Sequence, residues 1–262
     1  MEEGVELRCY VDDFLWPWQT ATPVLLSHGM SRNALFWDPW IPWIARKYRV
    51  YRPDWRGQGD SYKPPPGYVH DYREGARDAL ALMDHLGLER VHFVGEASGG
   101  MIGCTLAQMA PGRLASIVLC DTPLRPVPES HKEPERDFIM SAGVRKWHLD
   151  TIGQRLDPVT APAELVDWYG EQMAKTPPDV AAAIIEGSDH FLDEPITTLP
   201  VPILILVGDR NPDRVAEQRE VSSLLPKGHL GVVSGHAKGI FTLAPDDCAR
   251  QALAFWDALD QT

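Results

Sequence analysis

The fold of this chain is decided by residues 91–100, which read Val91-His92-Phe93-Val94-Gly95-Glu96-Ala97-Ser98-Gly99-Gly100. An apolar run typical of a strand ends at Val94, and a run of small residues typical of a helix begins at Gly99. The spacing Gly-x-Nuc-x-Gly predicts a sharp turn between the two, because the glycines keep side chains out of the crowded bend. The central position, which carries a nucleophile in such turns, is Ala97. Its methyl group cannot attack a carbonyl carbon.

Two other interpretations of this turn stay open. A Gly-Gly turn before a helix also arises by chance, because short motifs have false positives. Ser98 is a second candidate nucleophile, but the bulky Glu96 stands two residues before it, where the motif has a glycine. We therefore expect Ser98 to contribute its backbone N–H rather than its hydroxyl group.

The length and charge restrict the function classes. A chain of 262 residues is long enough for one large α/β domain with an inserted lid. The net charge of −12, from 37 acidic and 25 basic residues, argues against nucleic acid or an anionic membrane as partner. We expect a small molecule as the substrate, and the oligomeric state is left open.

The cysteines and the amino-terminal residues predict a cytoplasmic location. Cys9, Cys104, Cys120 and Cys248 lack the spacing of metal ligands, which favours a reducing compartment without a disulfide framework. The acidic start of the chain does not resemble a signal peptide, and no apolar run approaches the length of a membrane span.

Strand-like and helix-like segments alternate along most of the chain. Apolar runs predict strands at residues 5–11, 23–27, 49–52, 91–94, 116–120, 202–207 and 231–233. Helical periodicity covers residues 33–47, 70–86 and 246–259. Residues 124–199 carry no strand signal, and helices are expected around 138–154, 163–173 and 178–187. We therefore predict an α/β core of residues 1–123 and 200–262 with a parallel sheet, and a helical cap at 124–199.

Other motifs in the order of the chain complete a candidate acyl-transfer site. His28-Gly29-Met30 follows a predicted strand, and the backbone N–H groups of Met30 and Ser98 would form an oxyanion hole. His236 lies between the last predicted strand and the final helix, where it could act as the general base.

The acid that would orient His236 is not settled by the sequence. The usual loop reads Gly208-Asp209-Arg210-Asn211-Pro212, and the expected position holds Asn211, which carries no charge. Asp121, just after the strand at 116–120, is the preferred substitute, and Asp209 is the alternative.

Together these motifs resemble those of α/β-hydrolase fold proteins of the esterase, lactonase and C–C hydrolase type. The resemblance covers nearly the whole chain and also includes the glycine-bearing loop at 54–61. It implies a mainly parallel sheet of about eight strands flanked by helices, a helical cap inserted after strand 6, and no metal or cofactor. It also implies a Ser–His–acid triad in which Ala97 occupies the position of the serine, His236 is the histidine, and Asp121 or Asp209 is the acid. An acid placed before the cap is similar to that of haloalkane dehalogenases and zearalenone-type lactonases.

The expected activity is hydrolysis of a medium-sized hydrophobic ester or lactone. The pocket would be built from Gly29 and from apolar or aromatic side chains of the cap, which are Trp147, His148, Trp168, Tyr169, Met140, Met173 and Phe191. Ala97 has two explanations: a substitution of a natural serine that inactivates the enzyme, or a native residue in a non-hydrolytic relative. Such a relative would be a small-molecule binding protein or a cofactor-free enzyme that uses His236 as base. A C–C hydrolase is a further alternative.

Overall fold

A mainly parallel sheet forms the centre of the computed structural model, which describes residues 4–125, 129–157, 160–189 and 192–260. Within these residues the sheet has seven strands in the spatial order β1-β3-β2-β4-β5-β6-β7. β1 pairs antiparallel with β3, and the other neighbours pair in parallel. In chain order the strands are β1 (Cys9–Asp12), β2 (Val24–Ser27), β3 (Val50–Pro53), β4 (Val91–Glu96), β5 (Leu114–Cys120), β6 (Ile203–Gly208) and β7 (Gly228–Val233).

Helices cover both faces of the sheet. Every residue of β2, β4 and β6 is buried, as expected for parallel strands packed on two sides. One face packs around Trp37, Trp40 and Trp256, and the other around Phe93 and Met101. The α-helices are α1 (Ile41–Ile44), α2 (Tyr72–His85), α3 (Ser98–Met109), α4 (Glu129–Ala142), α5 (Val144–Asp150), α6 (Ala163–Met173), α7 (Pro178–Glu186), α8 (Pro212–Leu224), α9 (Ile240–Leu243) and α10 (Pro245–Leu259).

The order of the strands determines where a site can form. The chain leaves β2 towards β3 on one side and later returns to place β4 on the other side. At such a switch point the loops after the two central strands separate and leave a crevice at their carboxyl ends. The loop after β2, the turn after β4 and the loop after β5 therefore meet at one edge of the sheet.

Several expectations about the elements need correction. The described sheet has seven strands instead of about eight, and the helical insertion follows the fifth strand rather than strand 6. Residues 33–47 do not form one long helix, because Pro39 and Pro42 lack the N–H groups that a continuous helix uses. They form instead a 3₁₀ helix, Ala34–Trp40, followed by the single turn of α1. Gly143, with φ of +83°, divides the predicted helix at 138–154.

The segment between β5 and β6 contains α4 to α7 and no strand among its described residues. We refer to residues 124–199 as the inserted segment, and the domain boundaries given above stay a prediction. No helix in the described part of the chain combines the length and the apolar character that crossing a membrane requires.

Candidate active site

The turn between β4 and α3 has the backbone of a nucleophile elbow. Ala97 adopts φ of +47° and ψ of −122°, a region that residues other than glycine rarely occupy. Such strain persists only where the surroundings impose it, and it concentrates at functional sites. The Ala97 N–H donates to the Cys120 carbonyl at 3.0 Å, which ties the turn to the end of β5. The strained backbone therefore identifies position 97 as the tip of the elbow.

The glycines of the motif are required by close contacts. A Cβ at Gly95 would lie 2.4 Å from the Gly100 Cα, and a Cβ at Gly99 would lie 2.3 Å from the Ser27 carbonyl oxygen. Neither backbone can move without displacing a central strand or the elbow helix. This interpretation of the two glycines was made from the sequence, and the geometry agrees with it.

We expect Gly99→Ala to lower the free energy of unfolding by about 3 kcal/mol, because the added methyl group meets backbone rather than a flexible side chain. Gly112→Ala is the matched control, since a Cβ there meets no atom within 4 Å. Urea unfolding of both variants would measure the difference. Equal stability of the two would contradict the close packing of α3 against β2.

A buried ion pair joins the elbow to the loop after β2. The Glu96 Oε2 accepts a hydrogen bond from the Gly29 N–H at 3.0 Å and lies 2.9 Å from the Arg32 Nη1. Both side chains are almost inaccessible, with 5% of Arg32 and 3% of Glu96 exposed. The Arg32 Nε also donates to the Tyr169 hydroxyl in the inserted segment. Glu96 therefore holds the loop that carries Met30.

His28 stabilises the same loop as a neutral side chain. Its Nε2 accepts from the Trp55 N–H at 3.1 Å, so its Nδ1 carries the proton and donates to the Gly29 carbonyl at 2.9 Å. Burial lowers the pKa of His28 to about 4, which agrees with a neutral ring at neutral pH. Burial also raises the pKa of Glu96 to about 7, against the opposing effect of Arg32.

Sequence reasoning did not assign Glu96 or Arg32 to the site. A signal was available, because Glu96 occupies the variable position before the nucleophile of the motif and Arg32 follows His28-Gly29-Met30 closely. The pairing itself was not visible, since the two residues are 64 positions apart in the chain.

The elbow opens into a cavity of about 570 Å³. Ala97, Met30 and Ser98 all line it, so the residues expected for the nucleophile position and the oxyanion hole come together. Burial raises the pKa of the Tyr72 phenol, and the neighbouring Ser98 side chain opposes that effect.

The walls of the cavity are mixed in character. Apolar surface comes from Met30, Met101, Trp147, Ile184 and Ile185. Charged side chains also line it, which the expectation of a hydrophobic pocket did not include; among them are Arg32, Glu96, Asp121, Lys132, Arg155 and Lys238.

The three candidates for the group that orients His236, namely Asp121, Asp209 and Asn211, are placed differently. Asp121 lines the cavity, where its Oδ2 accepts from the Ile240 N–H at 3.1 Å. Burial raises the pKa of Asp121, while the Ile240 N–H and Arg214 oppose that effect. Asp209 is exposed, its Oδ1 accepts from a backbone N–H at 2.7 Å, and it is not among the lining residues.

Asn211 also lines the cavity, but its side chain has a structural role. Its Oδ1 accepts from the Arg214 N–H at 3.1 Å and caps the amino end of α8. An asparagine at this position is therefore explained by the helix that it begins.

His236 lies in the loop that borders the cavity. Its backbone carbonyl accepts from the Arg210 N–H, and the residues after it, Ala237 to Gly239, line the cavity. Its imidazole Nδ1 is buried and has no hydrogen-bond partner in the described part of the chain. The structure thus brings Ala97 and Asp121 to one cavity. His236 is not itself among the lining residues, and its Nδ1 makes no hydrogen bond to Asp121.

The expected pocket residues divide into two groups. Trp147 lines the cavity. His148 and Trp168 are not among the lining residues. His148 stacks on Tyr169 within the inserted segment, and Trp168 packs against Phe36 of the 3₁₀ helix Ala34–Trp40. Gly29 is also absent from the lining, since its N–H points to Glu96. Phe191 lies outside the described residues.

No group of three or more His, Cys, Asp or Glu side chains with metal-binding geometry occurs in the described part of the chain.

Comparison with known proteins identifies chains of similar sequence. A family profile described as "alpha/beta hydrolase fold" matches residues 22–161. Over 263 aligned residues, 94% of each chain, the sequence is 27% identical to "Putative carbamate hydrolase RutD" of Caulobacter sp. (strain K31). The protein of that name in Caulobacter segnis is 36% identical over 113 residues, which span 43% of this chain and 42% of that protein.

Two solved structures share the fold. An esterase from Thermogutta terrifontis superposes with a TM-score of 0.85 at 24% identity, over 97% of this chain and 94% of that chain. The enol-lactonase from Burkholderia xenovorans LB400 superposes with a TM-score of 0.84 at 21% identity, over 97% of this chain and 98% of that chain. At these identities the superpositions establish the architecture.

Proposed function

Because this chain belongs to the α/β-hydrolase family, we propose that its cavity is the site of a serine hydrolase for carboxylic esters or lactones, with residue 97 at the nucleophile position. The observation that carries this proposal is the strained backbone of Ala97, which is costly and has no structural benefit in an ordinary turn. Ala97 makes the present chain a form that binds the substrate and does not turn it over.

The mechanism follows for a chain with serine at position 97. His236 removes the hydroxyl proton as Oγ attacks the substrate carbonyl, and the oxyanion is stabilised by the N–H groups of Met30 and Ser98. His236 returns the proton to the leaving alcohol. It then deprotonates a water molecule that releases the acid from the acyl-enzyme. Asp121 would hold the imidazole tautomer and stabilise the imidazolium.

Several observations support this choice of chemistry. The named relatives and structural neighbours include a carbamate hydrolase, an esterase and an enol-lactonase, and each name describes cleavage at an acyl carbon. The unbonded Nδ1 of His236 leaves that nitrogen free to donate to a carboxylate. Asp121 lines the cavity, whereas Asp209 does not.

The proposal is tested by treating the Ala97→Ser variant with a fluorophosphonate probe. We expect covalent labelling of the new serine, and the same labelling when Ser98→Ala is added, because Ser98 is the first residue of α3 and lies one position beyond the strained tip of the elbow. The present chain should stay unlabelled. A folded Ala97→Ser variant that does not react would overturn the proposed function.

The acid assignment gives a separate prediction in the Ala97→Ser background. Asp121→Asn should lower kcat by about 10²–10⁴, because an amide cannot stabilise the imidazolium charge. Asp209→Asn is the matched control and should change kcat less than about threefold, since the Asp209 side chain is exposed and its Oδ1 accepts from the Gly235 N–H, a contact that asparagine preserves. Steady-state kinetics on one aryl ester would compare them. A larger loss for Asp209→Asn would reverse the assignment.

A second candidate function is favoured by Ala97 itself. If alanine is native, the chain is a small-molecule binding protein or a cofactor-free enzyme that uses His236 as base. This alternative predicts tight ligand binding and no hydrolytic gain in Ala97→Ser. A C–C hydrolase would gain activity with serine, but on a carbon–carbon bond next to a carbonyl group rather than on an ester.

A further inference from the structure

We propose that Arg155, assisted by Lys238, binds a carboxylate group of the substrate, so that the cavity accepts anionic esters or lactones in preference to neutral ones. This inference deepens the proposed function and rests on it for the reaction, although not for the binding.

The guanidinium of Arg155 is held rigidly at the cavity by neutral groups. It lies 3.9 Å from the centroid of the Trp147 ring, and its Nε donates to the His148 Nδ1 at 3.3 Å. Its Nη2 donates to the Thr151 hydroxyl and to the Trp147 carbonyl. Because these contacts fix the planar group, little side-chain entropy is lost when an anion binds.

Arg155 has no carboxylate partner within ion-pair distance among the described residues. Burial and the neighbouring Arg32 lower the pKa of Arg155 to about 10, while the Glu135 carboxylate, which lines the same cavity, opposes that effect, so the side chain stays protonated at neutral pH. Neither Glu135 nor Glu96, the two carboxylates that act on Arg155, forms an ion pair with it, and Glu96 is engaged by Arg32 at 2.9 Å. A partly buried cation of this kind is costly unless a counter-charge reaches it.

The other cations of the cavity separate into paired and unpaired groups. Lys132 contacts the Glu129 carboxylate and the Glu186 carbonyl, and Arg214 contacts Glu217. Lys238, in contrast, has no ion pair with any described residue, and it lines the same cavity as Arg155. Arg155 and Lys238 are therefore the cations that a ligand can neutralise.

The geometry of a guanidinium favours a carboxylate as its ligand. Its N–H groups form a planar fork that matches the two oxygens of a carboxylate. Ala97 and Arg155 line one cavity of about 570 Å³, so a molecule of moderate size can place its acyl carbon at the elbow and its carboxylate at Arg155. Cavities of this volume are typical of small-molecule sites.

The test measures binding to the present chain, which does not need a nucleophile. The probes are the monophenyl ester of glutaric acid, which is anionic, and phenyl pentanoate, a neutral ester of the same acyl length. Isothermal calorimetry should show the anionic probe binding at least about tenfold tighter. Arg155→Gln should abolish this preference, and Arg155→Lys should restore part of it.

Arg145→Gln is the matched control, because Arg145 is an exposed arginine of the inserted segment and is not among the cavity lining. It should leave both affinities unchanged. Thermal unfolding checks that Arg155→Gln is folded; if it is not, Lys238→Gln should reduce the preference by about threefold or more.

Equal affinities for the two probes, no binding of either probe, or a preference that survives both substitutions would overturn this inference. Its failure is distinct from failure of the proposed function. If the fluorophosphonate labels Ala97→Ser but the two esters bind equally well, the protein is a hydrolase without a preference for anionic substrates. If the anionic ester binds more tightly but no labelling occurs, the cavity binds anions and does not hydrolyse them.

Discussion

An Ala97→Ser variant should hydrolyse activated esters or lactones about 10³–10⁶ times faster than the present chain. Position 97 already has the strained backbone of the elbow, so a serine needs no rearrangement to present its hydroxyl. Without the nucleophile, the remaining groups of such a site retain only about 10³–10⁴ over the uncatalysed reaction. A panel of aryl esters and of five- and six-membered lactones would measure kcat and kcat/KM for both chains.

Ala237→Ser is the control for this gain. Ala237 also lines the cavity but lies outside the elbow, so a hydroxyl group there should not create turnover. A gain confined to Ala97→Ser would identify the elbow as the reacting position. If neither variant gains activity while Ala97→Ser is folded, the binding-protein alternative becomes the better account of the chain.

An Arg32→Met variant should lose about 3–5 kcal/mol of unfolding free energy at pH 8. The substitution preserves much of the side-chain volume but leaves the buried Glu96 carboxylate without its counter-charge, which is the costly way to break a buried pair. Arg49→Met is the matched control, because the Arg49–Asp13 pair is exposed and should contribute less than about 1 kcal/mol. Urea unfolding would measure both losses.

The loss in Arg32→Met should depend on pH with a defined sign. Burial raises the pKa of Glu96 from 4.5 to about 7, so the folded chain retains a proton that the unfolded chain releases. The bound proton stabilises the folded state. This stabilisation is fully present below pH 4.5, the ordinary pKa of the carboxyl, and is lost as the pH rises through the folded-state pKa of about 7. Removing Arg32 raises this pKa further, so the deficit should be smaller at pH 5.5 than at pH 8. A deficit that does not change with pH would contradict the role of Glu96 charge.

The elements that could be predicted from sequence are those with local signals. The elbow follows from two glycines and the change from strand to helix within ten residues, and the parallel sheet follows from short apolar runs separated by helices. The predicted helix boundaries are less accurate where a proline or a glycine interrupts a helical pattern, as at Pro39 and Gly143. The count of eight strands came from the resemblance rather than from the chain, in which seven apolar runs predict strands.

The candidate site was predictable only in part. Met30, Ala97, Ser98 and Asp121 could be chosen because each lies within three residues of the end of a strand whose carboxyl end faces the same edge of the sheet. His148 and Trp168 were wrong as pocket residues, since an amphipathic helix does not reveal which of its neighbours its apolar face will meet.

The sequence by itself determined the fold, the position of the elbow and the absence of a nucleophilic side chain at its tip, because these depend on residues close together in the chain. Tertiary structure alone decided the pairing of Glu96 with Arg32 and the placement of Asp121 in the cavity and Asp209 outside it. It also decided the exposure of Arg155 to the cavity without a carboxylate partner among the described residues. Charge pairing and burial depend on distances between segments that are remote in sequence, and those distances exist only once the sheet and the inserted segment have packed.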